Sequence, residues 1–173
     1  MVYVITGGPG FGKTALIEKL RQLGFQTGEE TARQIIMQQL EIQGDILPWK
    51  NSSKFEKLVM NRRIEFLNQI EIQDIAFSDR GLPDQAGFSR YKGKDVSKEL
   101  ASAILLNRYA KKVFVTPPWS QIYKNDPIRT ETFEEAKKIH QCVVEAYLDN
   151  GYELFDLPLT TLDSRIEFIF KLL

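Results

Sequence analysis

Gly7-Gly8-Pro9-Gly10-Phe11-Gly12-Lys13-Thr14 is the stretch that most limits what this chain can become. It follows Val2-Tyr3-Val4-Ile5-Thr6, a short apolar, β-branched run that reads as a buried parallel strand. It leads into residues 14–23, where Ala15, Leu16, Leu20 and Leu23 recur at helical spacing before Gly24 stops the pattern. Strand, glycine loop and helix in that order satisfy G-x-x-x-x-G-K-[ST]. Glycines let the main chain take angles that other residues avoid and let it approach a bulky anion. Successive N–H groups then turn inward as a nest for phosphate oxygens, and the helix beginning near Lys13 adds its positive end. Lys13 is expected to reach the β- and γ-phosphates and the Thr14 hydroxyl to ligate Mg²⁺. The nucleotide-binding stretch is therefore read as Gly8, Gly10, Phe11, Gly12, Lys13, Thr14 and Ala15. The spacing is not G-x-G-x-x-G, and Lys13 would have no role in a dinucleotide site.

Beyond the loop, strands and helices alternate. Residues 25–28 form a weak second strand, 30–43 a helix ended by Gly44, and 52–73 a long helix with a Ser53–Glu56 capping box. Strands are expected at 74–79, 112–116 and 152–157, and helices at 82–92, 96–110, 131–149 and 163–173. That alternation predicts one parallel sheet with helices on both faces, in a single domain spanning residues 1–173.

Composition closes off several classes. Lys plus Arg and Asp plus Glu number 23 each, so nothing global favours a nucleic acid or an anionic membrane. No stretch approaches the about 18 apolar residues that span a bilayer. Cys142 is the only cysteine, so no internal disulfide is expected, and the cytoplasm is the expected address.

The third strand ends in Ser78-Asp79-Arg80-Gly81. An aspartate at the tip of a buried strand lies at the carboxyl edge of the sheet, where ligands sit. If that strand neighbours the first, Asp79 faces Thr14 across the phosphates, to support Mg²⁺ or to accept a proton. Arg80 would hold a phosphate or carboxylate bidentately. The competing reading makes Asp79 a cap for the turn at Gly81 and Pro83.

Taken together, these elements resemble the P-loop kinase-like NTPases, which include nucleoside and nucleotide kinases. The similarity is closer to the small AAA-type ATPase/kinase domains related to NAD metabolism, akin to ribosylnicotinamide kinase domains. It rests on ITGGPGFGKTALIEKL, GEETARQII, FSDRGLPDQAGF, VFVTPPWSQIYKNDPIRTETFEEAKKIH and YLDNGYELFDLPLTTLDSRIEFI. Residues 44–73 and 91–111 match only loosely. The resemblance implies a three-layer α/β/α P-loop NTPase fold with a five-stranded parallel sheet in the order 2-3-1-4-5. It also implies a lid near 121–131, from which Arg129, and less strongly Lys124, would close on the phosphates. A solvated charged loop is the alternative there.

In kinase-like proteins the region after the second strand faces the acceptor, which makes Glu30 and Arg33 substrate contacts, together with Arg80 and Asp84. An ion pair one turn apart explains Glu30 and Arg33 equally well, and Asp84 also suits a helix N-terminus. Trp49 reads as loop packing before pocket lining. His140 reads as structural or surface, Cys142 as small core, and Arg62-Arg63 as a solvated helix face.

Two functions fit. In the first, Lys13, Asp79, Arg80 and Arg129 are catalytic in a kinase that takes ATP–Mg²⁺, with GTP left open, and phosphorylates a small nucleoside-like acceptor. In the second, bound nucleotide switches a protein partner. Lys124-Asn125-Asp126-Pro127 has the wrong order for the N-K-x-D base signature of G domains. A ring-forming motor is disfavoured, because there is no room for a helical lid domain and no acidic pair at the third strand's tip.

Overall fold

The computed structural model describes residues 1–124 and 131–173. In chain order the elements are β1 (Val2–Thr6), α1 (Lys13–Gln22), β2 (Gln26–Gly28), α2 (Thr31–Glu41), α3 (Ser52–Gln69) and β3 (Ala76–Asp79). They continue with α4 (Leu82–Tyr91), α5 (Lys98–Leu106), β4 (Lys112–Val115), α6 (Phe133–Asp149), β5 (Glu153–Asp156) and α7 (Leu162–Phe170). The strands pair in parallel as a five-stranded sheet in the order β2-β3-β1-β4-β5. Ile5 lies opposite Asp79, so the third strand's tip stands beside the glycine loop, as the family resemblance implied.

Side-chain alternation along β1 explains the layers. Val2 and Val4 enter a core with Leu82, Ala86, Val143 and Tyr147 from α4 and α6. Tyr3 and Ile5 enter the opposite core with Leu16, Leu20, Ile166 and Ile169 from α1 and α7. A third, smaller cluster joins Ile35 and Ile36 of α2 to Leu47 and to Phe55 and Val59 of α3. It forms the floor of the cleft described below.

Several helix boundaries differ from expectation: α5 ends at Leu106 rather than at 110, and α3 differs at its cap and at its end. The α3 N-cap is Asn51, whose side chain accepts from Lys54 N at 3.3 Å, so Ser52 and Ser53 are already helical and the Ser53–Glu56 box does not form. The helix also stops at Gln69, because Ile70 turns extended at ψ 121°. The capping box that does form joins Thr132 and Glu135 at the start of α6. No helix among the described residues is long and apolar enough to cross a membrane.

Candidate active site at the carboxyl edge of the sheet

The glycine loop joins β1 to α1 under steric constraints that only glycine meets. Gly7 has φ 132°, and a Cβ there would lie 2.3 Å from Thr116 Oγ1 and 2.4 Å from its carbonyl oxygen. Gly12 caps α1 with φ 85°, in the left-handed region. Lys13 folds back over the loop and donates to the Gly7 and Gly8 carbonyls at 3.1 and 2.7 Å. Phe11 points away from the ligand side. Its buried ring packs against Tyr123, Phe133 and His140. Any nucleotide contact from Phe11 is therefore made by its main chain.

Beside the loop, β3 delivers Asp79 and Arg80. Arg80 adopts φ 70°, a left-handed conformation unusual for a side-chain-bearing residue, and Ser78 Oγ donates to its carbonyl at 2.7 Å. This turn sends the guanidinium inward, where Nη1 donates to Gly7 O at 2.9 Å and to Asp84 Oδ1 at 2.8 Å. Asp84 is not a cleft residue. It is fully buried and also accepts from Thr6 Oγ1 at 2.8 Å, Gly81 N at 2.8 Å and Tyr147 OH at 2.6 Å. Its role is to hold Arg80 against the glycine loop. Burial pushes its carboxyl up, but Arg80 and Arg63 beside it outweigh that and leave it below the usual range.

Lys13 and Asp79 share this desolvated setting. Burial, aided by Arg80, pulls the Lys13 ammonium down to about 7, against the pull of Asp79 and Glu30. Burial pushes Asp79 up to about 6 against Lys13, with Glu30 adding to the rise. Asp79 Oδ1 is buried and has no hydrogen-bond partner. A cation or a proton is the natural partner for an oxygen in that state.

Two cavities meet at this edge. One, of about 390 Å³, is lined by Gly10, Gly12, Lys13, Thr14, Ala15, Glu30, Ile122 and Lys124. The other, of about 560 Å³, runs between α2, α3 and α4, with Glu30, Arg33, Trp49, Phe55, Arg63, Arg80, Gln85 and Phe88 in its wall. Glu30 belongs to both. Of the residues expected at a substrate side, Glu30, Arg33 and Arg80 line the larger cleft and Asp84 does not. Arg129 lies outside the described residues.

The cleft also contains residues that sequence reasoning passed over. Trp49 is 62% exposed and lines the cleft, so it is not packing. Arg63 is 4% exposed, donates to Gly81 O at 2.8 Å and has no partner for Nε, so it is not on a solvated face. The signal for it was present: Arg63 falls on the buried helical stripe of Phe55 and Val59 at steps of four. Gln85 is held through Nε2 by Glu56 O at 2.9 Å, leaving a buried Oε1 without a partner. Cys142 is half-buried and not core.

His140 touches the site from α6. Its Nδ1 accepts from Gly8 N at 3.4 Å. That bond needs the neutral ring, and burial, together with Lys13 and Arg80, keeps the ring's pKa below its ordinary value despite Asp156. The folded chain therefore binds fewer protons here than the unfolded one, so this contribution to stability is lost as pH falls below about 6.5. Asp79 works in the opposite direction below about 6, so the two must be separated by a variant. Urea unfolding at pH 7.5 and 5.5 should show a larger loss on acidification for the wild-type chain than for His140→Gln; equal losses contradict this.

These features match known proteins. A family model described as an AAA domain matches residues 2–165, and the chain belongs to that family. Its fold is that of P-loop kinases. A deoxyadenosine kinase from M. mycoides with bound dATP superposes with TM-score 0.69 at 16% identity, covering 99% of this chain and 98% of the other. A thymidylate kinase from Ehrlichia chaffeensis gives 0.65 at 14% identity, covering 100% and 98%. A NadR protein in complex with NR gives 0.69 at 18% identity, covering 98% of this chain but 50% of that one. No curated protein sequence matches the chain.

Proposed function

We propose that this protein is a small-molecule kinase that binds a nucleoside triphosphate with Mg²⁺ on its glycine loop and phosphorylates a nucleoside-like acceptor in the larger cleft. The observation that carries this reading is the junction of two cavities at Glu30, with Lys13 and Asp79 beside it and Arg80 in the wall of the larger one. A switch or a simple NTPase needs the first cavity but has no use for the second. The deoxyadenosine kinase with bound dATP and the NadR protein in complex with NR, both of this fold, support the same class of substrate.

Each residue then has a task. Lys13 leaves the Gly7 and Gly8 carbonyls for the β- and γ-phosphates and neutralises charge in transfer. Thr14 and Asp79, whose Oδ1 has no hydrogen-bond partner, would hold Mg²⁺, which supplies charge neutralisation at the phosphates. Asp79, poised near neutrality, also suits the acceptor proton. Arg80, braced by Asp84, faces the transferred group from the acceptor side. Glu30 and Arg33 orient the acceptor, and Trp49 and Phe88 offer flat faces to a base. Arg129 is proposed as a lid arginine.

A panel of nucleosides, ribosylnicotinamide and sugars tests this reading: at least one should stimulate ADP formation. Trp49→Ala should then raise that acceptor's KM roughly 5- to 150-fold, the range for one lost base–aromatic stack, and leave the KM for ATP unchanged. Hydrolysis that no acceptor alters would favour the switch.

A further inference from the structure

Arg80 takes a backbone conformation that side-chain-bearing residues avoid, and the chain around it is tied down bond by bond. Its N–H donates to Ile5 O at 3.0 Å, and its carbonyl accepts from Ser78 Oγ at 2.7 Å. One residue on, Gly81 N donates to Asp84 Oδ2 at 2.8 Å. Gly81 O accepts twice, from Asp84 N at 3.2 Å and from Arg63 Nη1 at 2.8 Å. Leu82 N then donates to Tyr109 OH at 3.2 Å. A strained residue persists only where its surroundings over-determine it, and such places cluster where a side chain has to be aimed.

Arg63 is the tie that packing does not explain. It is 4% exposed, and it directs one arm at a carbonyl that Asp84 N already satisfies. Its Nε has no partner among the described residues, and the hub carboxylate of Asp84 bonds Arg80 and not Arg63. A guanidinium buried on those terms costs stability, and an aliphatic side chain would continue the stripe of Phe55 and Val59 without that cost. What the guanidinium adds is direction. Ser78 and Arg63 hold consecutive carbonyls, those of Arg80 and Gly81, and so fix the two peptide planes that follow the Arg80 Cα. Asp84 fixes the other end, the Arg80 guanidinium itself. Arg63 and Arg80 also share the wall of the larger cleft.

We infer that Arg63 and Ser78 are positioning residues for phosphoryl transfer: they clamp the left-handed turn so that the Arg80 guanidinium meets the transferred group. This rests on the reading that the larger cleft takes an acceptor and that Arg80 faces the transferred group there. Each acts through Arg80, and neither binds the acceptor or the nucleotide.

Transfer kinetics from γ-labelled ATP to the best acceptor of the nucleoside, ribosylnicotinamide and sugar panel separate the claims. Arg63→Met keeps the buried stem and loses the donor, and Ser78→Ala loses one hydroxyl. Each should lower kcat roughly 10- to 100-fold, the cost of misplacing a catalytic group by about 1 Å, and leave both KM values within about 3-fold. A raised acceptor KM with kcat intact makes the two residues cleft contacts, and unaltered kcat and KM in folded variants make them structural ties. Either result overturns the inference. In an Arg80→Met background, where no guanidinium is left to aim, adding either change should cost less than about 2-fold. Losses that multiply overturn the inference and leave the kinase reading standing. Should Arg63→Met fail to fold, Ser78→Ala carries the same two tests. A wild-type chain that phosphorylates no acceptor on the panel overturns the kinase reading and this inference with it.

Discussion

Lys13→Ala should remove most of the thermal stabilisation that ATP–Mg²⁺ gives the wild-type chain. Lys13 is the buried ammonium of the glycine loop and, among the described residues, donates to the Gly7 and Gly8 carbonyls. A triphosphate offers it charged oxygens in place of carbonyls, which also favours the ammonium form that burial opposes. At a nucleotide concentration about 100 times Kd, linkage stabilises the wild type by about 2.7 kcal/mol, or roughly 5–10 °C for a chain of this size. Two lost charge-assisted bonds weaken binding about 100-fold, which leaves a shift of about 1 °C at the same concentration. Each variant is measured against its own melting without nucleotide. An undiminished shift in Lys13→Ala contradicts the phosphate-site assignment.

Asp84→Ala should be among the most destabilising single changes in the protein. It removes the acceptor for Thr6, Arg80, Gly81 and Tyr147 together and strands a buried guanidinium. Breaking one side of a buried ion pair costs about 3–5 kcal/mol, which lowers the melting temperature by about 6–20 °C here. Arg80 then loses the brace that points it at Gly7, so nucleotide affinity should fall as well, although Asp84 lines neither of the two cavities. Asp84→Asn keeps an acceptor oxygen and should fall between the two. A melting temperature within about 2 °C of wild type for Asp84→Ala, when each kcal/mol is worth about 2–4 °C, contradicts the role given to this hub.

What was legible in the sequence was local or periodic. The glycine loop announces itself by spacing, Asp79 by its place at the end of an apolar run, and the sheet order followed from the family resemblance. Of the two readings for Asp84, the helix N-terminus holds, since its side chain accepts from Gly81 N at the cap of α4, and the substrate contact does not. The left-handed turn at Arg80 brings a cation inward to meet it. Arg63 sat on a visible apolar stripe, but its charge suggested solvent. His140 reaches Gly8 across 132 residues of chain. No spacing rule carries such a contact.

The cleft of Trp49 and Phe88 separates a kinase from a nucleotide switch, and the fate of the γ-phosphate decides between them. With γ-labelled ATP and the nucleoside-type acceptors present together, label is expected in an organic phosphate ester, dependent on Lys13 and Asp79. Label found only in inorganic phosphate, at a rate indifferent to every acceptor, would contradict it.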